Sequence, residues 1–238
     1  RYLKEHLKRL ENSLKAVEID SGYTADEITG LLNDAIKKSK GKSGLLYLQI
    51  TRGVQYPRDH TYSENLSPSF LITYSERKEK SWKEVKSLNV ITKQDFRWGR
   101  GDLKVTSIIA NVMLRNGAIK EGCDDVILIR RGLVTEAAAA NVFIVKGQKI
   151  STPKKNRFFL HGITREIVLE ISKNLGFDTV EREVKKQELF QADEVWLAST
   201  GREICPVKSI DGKSVGGGVA ERNSVWKTFH EAYRKRVW

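Results

Sequence analysis

Apolar residues recur at helical spacing in the first forty positions and at strand spacing after them, and this change of period sets the expected architecture. Leu3, Leu7, Leu10, Leu14 and Val17 fall on one face of a helix predicted from Tyr2 to Val17. A second helix is predicted from Thr24, where Thr24 and Glu27 have capping-box spacing, with Ile28, Leu31, Leu32, Ala35 and Ile36 on one face and Gly41 at its end. Leu45 to Arg52 and Phe70 to Tyr74 read as strands, separated by turn chemistry in Tyr56-Pro57-Arg58-Asp59-His60.

The run from Ser75 to Lys80 has no apolar side chain and predicts an interdomain connection, giving a small domain over residues 1–76, a linker at 77–81 and a larger domain over 82–238. In the larger part a strand is predicted at Leu88 to Ile91. A helix follows over Val105 to Lys120, with Ile108, Ile109, Val112 and Met113 buried and Gly117 weakening its end. Short strands come next at Val126 to Ile129, Val134 to Glu136, Val142 to Val145 and on to Ile150. A helix over Thr164 to Asn174 turns Ile167, Val168, Ile171 and Leu175 toward a core and stops before Gly176. Val195 to Ala198 and Ile204 to Val207 read as strands, Gly216 to Gly218 as a hinge-like loop, and Ala220 to Arg236 as a last helix. The fold class expected is α+β, a small α/β unit ahead of a larger β-rich unit with flanking helices.

Composition changes little in this picture. At 238 residues and 39% hydrophobic the chain can bury a large core, and no window reaches the apolar length of a membrane span or a secretory signal. Cys123 and Cys205 lie far apart without metal-ligand spacing, so neither a disulfide framework nor a zinc ribbon is predicted, and a cytoplasmic location is expected. The net charge of +12 is dispersed among acidic residues rather than drawn into an aromatic-bearing stripe. Nucleic acid and membrane are therefore not the expected partners.

Four groups of residues carry candidate chemistry. Lys104 lies between the polar run Arg97-Trp98-Gly99-Arg100-Gly101-Asp102 and an apolar helical stretch. Desolvation there would lower its pKa and free the amine for nucleophilic and proton-transfer work, although most lysines are simply solvated. Glu136 ends the strand Val134-Thr135-Glu136, where a carboxylate either caps a turn or serves a ligand. Gly162-Ile163-Thr164-Arg165 opens a helix, whose free N–H groups and dipole suit a phosphate, though Thr164 could act only as a cap. Arg58 and His60 share a polar loop in which an arginine fork could bind a carboxylate or remain solvated. Gly41-Lys42-Ser43 lacks the first glycine of a phosphate loop, and Arg100-Gly101-Asp102 copies an adhesion tripeptide by chance.

Asp102-Leu103-Lys104, Val134-Thr135-Glu136 with Asn141-Val142-Phe143, and Gly162-Ile163-Thr164-Arg165 together resemble the fold type IV pyridoxal-phosphate aminotransferases. Within them, Arg58-Asp59-His60 resembles the D-amino-acid aminotransferases. The resemblance implies pyridoxal 5′-phosphate as cofactor, Lys104 as its Schiff-base lysine and catalytic residue, and Glu136 as the partner of the pyridine nitrogen. It implies Ile163, Thr164, Ser199, Thr200 and Arg9 around the phosphate, Leu160 against the ring, and Arg58 with His60 on the substrate carboxylate. It also implies a homodimer that moves an amino group from a D-amino acid to a 2-oxo acid, and further strands ahead of the first helix, so that the small domain is expected to lack its start. The residues after Glu136, often hydroxyl-bearing in the family, are alanines at 137–140 here. Branched-chain aminotransferases and aminodeoxychorismate lyases share Lys104 and Glu136 without the Arg58–His60 pair, and an inactive nucleic-acid-binding protein is the remote alternative.

Overall fold

The structure, a computed structural model, describes residues 1–39, 43–77, 84–218 and 224–237. Contacts divide the chain into two compact units, Leu3–Lys80 and Ser81–Trp238, the latter joined by Arg1–Tyr2. The predicted linker at 77–81 lies, apart from Arg77, outside the described residues, as do Gly41 and the predicted start of the last helix at Ala220.

In the smaller unit, helices α1 (Leu3–Ala16) and α2 (Ala25–Lys38) precede an antiparallel pair, β1 (Gly44–Thr51) and β2 (Ser69–Glu76). The capping box forms as the spacing predicts. Glu27 N–H donates to Thr24 Oγ1 at 3.3 Å, and the Glu27 carboxylate accepts from Thr24 N–H at 2.7 Å, so two otherwise orphaned donors at the helix start are satisfied. Ile28 and Leu32 are the buried residues of α2. Strand β2 continues through Ser75 and Glu76, opposite Leu45 and Gly44, because polar side chains on a solvated edge do not interrupt a ladder.

The larger unit is a mixed nine-stranded sheet. Its strands are β3 (Leu88–Gln94), β4 (Asp125–Arg130), β5 (Leu133–Ala137), β6 (Asn141–Lys146), β7 (Lys149–Pro153), β8 (Asp178–Arg182), β9 (Glu194–Ser199), β10 (Glu203–Ile210) and β11 (Lys213–Ser214). They run in the order β5-β4-β3-β10-β9-β6-β7-β8, with β11 on β10. Past β8, Val184 O accepts from Val134 N–H at 2.8 Å and Lys186 N–H donates to Gly132 O at 2.9 Å, so the two ends of the sheet curl back toward each other.

Strands β4, β6 and β9 are apolar on both faces because both are covered. Val142, Ile144, Val195 and Leu197 fill one core with Ile127 and Ile129, while Phe143, Val145 and Trp196 fill another beneath helices α4 (Ile163–Asn174) and α6 (Val225–Val237). Ile167, Val168 and Ile171 of α4 and Phe229 of α6 belong to that second core. A short helix α5 (Glu188–Gln191) adds Leu189 to the first.

Three expectations are corrected. Helix α3 (Ile109–Lys120) begins at Ile109 rather than Val105 and buries Leu114 and Ala118, against Val126 and Leu128. Ile108, Ile109, Val112 and Met113 are instead 50, 72, 44 and 59% exposed. The helix is apolar on two faces, and its periodicity could not tell which one meets the sheet. Leu175 follows the last turn of α4 and is 40% exposed. Val215–Gly218 is a 3₁₀ turn packed on the chain, since a Cβ at Gly216 would lie 2.2 Å from Asp193 O.

Candidate active site

The segment from Asp95 to Ile108 leaves the end of β3 and leads to α3. Asp95 N–H extends the sheet by donating to Ile129 O at 2.8 Å, which buries the Asp95 carboxylate and obliges it to find partners. Arg97 supplies three donors to it, backbone N–H at 3.1 Å, Nε at 3.0 Å and Nη2 at 3.1 Å, and Thr135 Oγ1 donates at 2.9 Å. Arg130 adds an ion pair at 3.2 Å. Burial pushes the Asp95 carboxyl up, but the Arg97 guanidinium, with Arg130 and Thr135, outweighs it and holds the group below the usual carboxylate range.

The same guanidinium reaches Glu136, with Nη1 donating to Oε1 at 2.6 Å, and also donates to Phe158 O at 3.2 Å. Glu136 is buried at the end of β5, and burial, opposed by Arg97, pushes its carboxyl up to about 7. Leu160 N–H approaches the same Oε1 at 3.4 Å. Among the described residues Oε2 accepts no protein hydrogen bond, so it is available to a ligand N–H. A raised carboxyl stabilises the fold while protonated, and that contribution is lost as pH rises through the folded value. Melts of the ligand-free wild type should therefore fall relative to Glu136→Gln between about pH 4.5 and about pH 7; parallel curves for the two proteins would contradict this account of the carboxyl.

Gly162 is the N-cap of α4, and among the described residues no side chain caps the helix, so its first-turn N–H groups, those of Ile163 and Thr164 included, suit an anion. Thr164 is buried in the first turn of α4, and Tyr233 of α6 is buried as well. Asn141 donates through Nδ2 to Leu160 O at 2.7 Å and accepts from Gly162 N–H at 3.1 Å. Its backbone is in register with Ala198, which directly precedes Ser199 and Thr200 at the end of β9. These bonds bring Glu136, Leu160, the start of α4 and the Ser199–Thr200 turn into one place.

The loop bearing Lys104 is tied to the same place. Asp102 N–H donates to Arg157 O at 3.3 Å, and a Cβ on Gly101 would lie 2.4 Å from Phe158 O, so only glycine allows this approach. Arg100 and Asp102 pair with each other at 3.0 Å. Lys104 itself is exposed, contrary to the desolvation expected from sequence, because α3 starts later and its first turns are uncovered.

In the smaller unit, Arg58 and His60 are exposed in the loop between β1 and β2. Gln55 braces that loop by donating through Nε2 to Thr61 O at 2.9 Å and accepting from Ser63 N–H at 2.9 Å. Arg9 lies on α1, with Nη2 3.3 Å from His6 Nδ1. Asp95, Arg97 and Arg130 carry no role in the sequence reading; Asp95-Phe96-Arg97 at a strand end is the signal that preceded them, and only folding brings Glu136 to it.

The amino-transferase class IV family model matches residues 1–210, and the chain belongs to that family. The D-alanine aminotransferase of Bacillus licheniformis is 38% identical over 217 residues, 91% of this chain and 76% of that protein. That of Listeria monocytogenes serotype 4b is 31% identical over 235 residues, 98% and 81%. Among solved structures, the T.th. branched-chain amino acid aminotransferase complexed with N-(5′-phosphopyridoxyl)-L-glutamate is 25% identical with a TM-score of 0.87, covering 99% of this chain and 78% of that one. The fold is that of the fold type IV aminotransferases.

Proposed function

We propose that the chain is a pyridoxal-phosphate-dependent transaminase acting between a D-amino acid, such as D-alanine or D-glutamate, and a 2-oxo acid, such as 2-oxoglutarate or pyruvate. The observation that carries the reading within this chain is Glu136, a buried carboxylate braced by Arg97 through one oxygen and open at the other. When bound, the cofactor supplies a cationic ring that accepts the electrons left at the substrate's α-carbon when its proton departs.

The residues present fit that group. Glu136 would keep the ring nitrogen protonated, Leu160 would pack on the ring, and Lys104 would provide the amine that holds the cofactor. The amides of Ile163 and Thr164, the Thr164 hydroxyl, Ser199, Thr200 and Arg9 would hold the phosphate. Lys104 Nζ would accept and hold the proton of the substrate's α-carbon, a role that needs the neutral amine. Ala137, Ala138 and Ala140 are buried and bring no hydroxyl to Glu136, which among the described residues leaves Arg97 and the Leu160 amide as its hydrogen-bond partners.

Arg58, with His60, would bind the substrate α-carboxylate. Hydrogen bonds between charged groups of this kind justify an expected rise in the D-alanine KM of roughly 10–100-fold in Arg58→Ala. An unchanged KM would remove the pair from the substrate site. The products decide the overall reading: D-alanine and 2-oxoglutarate should yield pyruvate and D-glutamate by chiral chromatography, whereas L-glutamate as sole amino product would overturn it. The second reading, a branched-chain aminotransferase, is favoured by the branched-chain enzyme found among the solved structures. The 38% identity to a D-alanine aminotransferase outweighs it.

A homodimer is part of the proposal, supported by the uncovered apolar side chains of Ile108, just before α3, and of Ile109, Val112 and Met113 on it. A cytoplasmic location accords with Cys123 and Cys205 being thiols rather than a disulfide.

A further inference from the structure

Asn141 opens β6, and its backbone and side chain hold different parts of the molecule. The backbone pairs in register with Ala198, which fixes the end of β9 where Ser199 and Thr200 begin. The side chain spans His161, giving Nδ2 to Leu160 O at 2.7 Å and accepting Gly162 N–H on Oδ1 at 3.1 Å. A carbonyl can only accept and an amide N–H can only donate, so one orientation of the amide satisfies both bonds. Asn141 is 4% exposed, which makes the loss of either bond costly.

Gly162 gives an independent sign of the same fit. Its φ of −69° is open to any residue, so no backbone strain calls for glycine there. A Cβ at that position, however, would lie 2.3 Å from Asn141 Oδ1. Glycine is required because the asparagine fills the space, and the first turn of α4 is seated against Asn141 in consequence.

We propose that Asn141 is a positioning residue for the cofactor phosphate, pinning the α4 N-terminus through Leu160 and Gly162 to the strand pair that carries Ser199 and Thr200. It touches neither cofactor nor substrate; it sets the relative placement of two sets of phosphate donors that belong to distant parts of the chain. The inference rests on the proposed role of Ile163, Thr164, Ser199 and Thr200 as that cradle.

The test compares pyridoxamine 5′-phosphate with pyridoxamine, which differ only in the phosphate and form no covalent bond with a lysine. Dissociation constants are measured by calorimetry for wild type, Asn141→Ala and the near-isosteric Asn141→Asp, with circular dichroism confirming the fold. Asn141→Asp keeps an acceptor for Gly162 N–H but places a second acceptor against Leu160 O. Both variants are expected to lose about tenfold or more of the preference for the phosphorylated ligand, with pyridoxamine affinity held within about threefold. Gly162→Ala should lose phosphate preference as well, and less of it in the Asn141→Ala background, where the added methyl no longer meets Oδ1. A wild-type preference retained in both Asn141 variants, or an equal loss for both ligands, overturns the positioning role. A wild type without phosphate preference overturns the cradle reading itself.

Discussion

Lys104→Ala is expected to abolish measurable transamination while the protein still folds. The side chain is exposed on a loop whose course is set by other atoms, the Asp102 amide on Arg157 O and the close approach of Gly101 to Phe158 O. Truncation therefore removes chemistry with little packing. Loss of a positioned proton carrier alone costs on the order of 10²–10⁴-fold, and loss of the covalent hold on the cofactor adds to it. The chain has 42 Lys and Arg residues, so the position of attachment has to be read directly. Borohydride reduction of the loaded wild type followed by peptide mass spectrometry should place the cofactor's mass on the peptide containing Lys104, and Lys104→Ala should carry none. Normal turnover in the variant, or labelling at another lysine, would remove Lys104 from the mechanism.

Glu136→Gln is expected to lower kcat on the order of 10²–10³-fold, the usual cost of removing one preorganised electrostatic stabiliser from a buried site. Glutamine keeps an oxygen for the Arg97 contact, and Arg97 keeps its bonds to Asp95, so the network holds its shape. What the substitution removes is the negative charge proposed to stabilise a protonated ring nitrogen. The effect should fall on kcat more than on the KM for D-alanine, because the charge matters most where electrons move into the ring. A ¹⁵N spectrum of labelled cofactor should show the ring nitrogen protonated in wild type and unprotonated in the variant. A protonated nitrogen in both, with unchanged kcat, would assign Glu136 to structure alone.

Much of the fold could be read before the structure because local chemistry dictated it. The Thr24–Glu27 capping box fixes the start of α2, and the uninterrupted apolar runs of β4, β6 and β9 can exist only where both faces are covered. Other elements were hidden. Strand β8, Asp178-Thr179-Val180-Glu181-Arg182, is polar at most positions and gains its place by parallel pairing with β7. In α3 the apolar pattern was visible, but Leu114 and Ala118 compete with Ile109 and Met113 for the core, and only the sheet decides. The candidate site divides the same way. Lys104, Glu136 and Gly162 stand in recognisable strings, whereas the Arg97–Glu136 pair joins residues 39 apart and the Asn141 clamp joins residues 19 and 21 apart. Such long-range partners leave no periodic trace in the sequence.

The measurement that bears most directly on the proposed function is the visible spectrum of the cofactor-loaded protein before and after D-alanine, with L-alanine and L-leucine added to separate samples. The bound cofactor's visible band should disappear with D-alanine alone and return on adding 2-oxoglutarate. Loss of the band with L-leucine and not with D-alanine would contradict it and place the chain with the branched-chain enzymes.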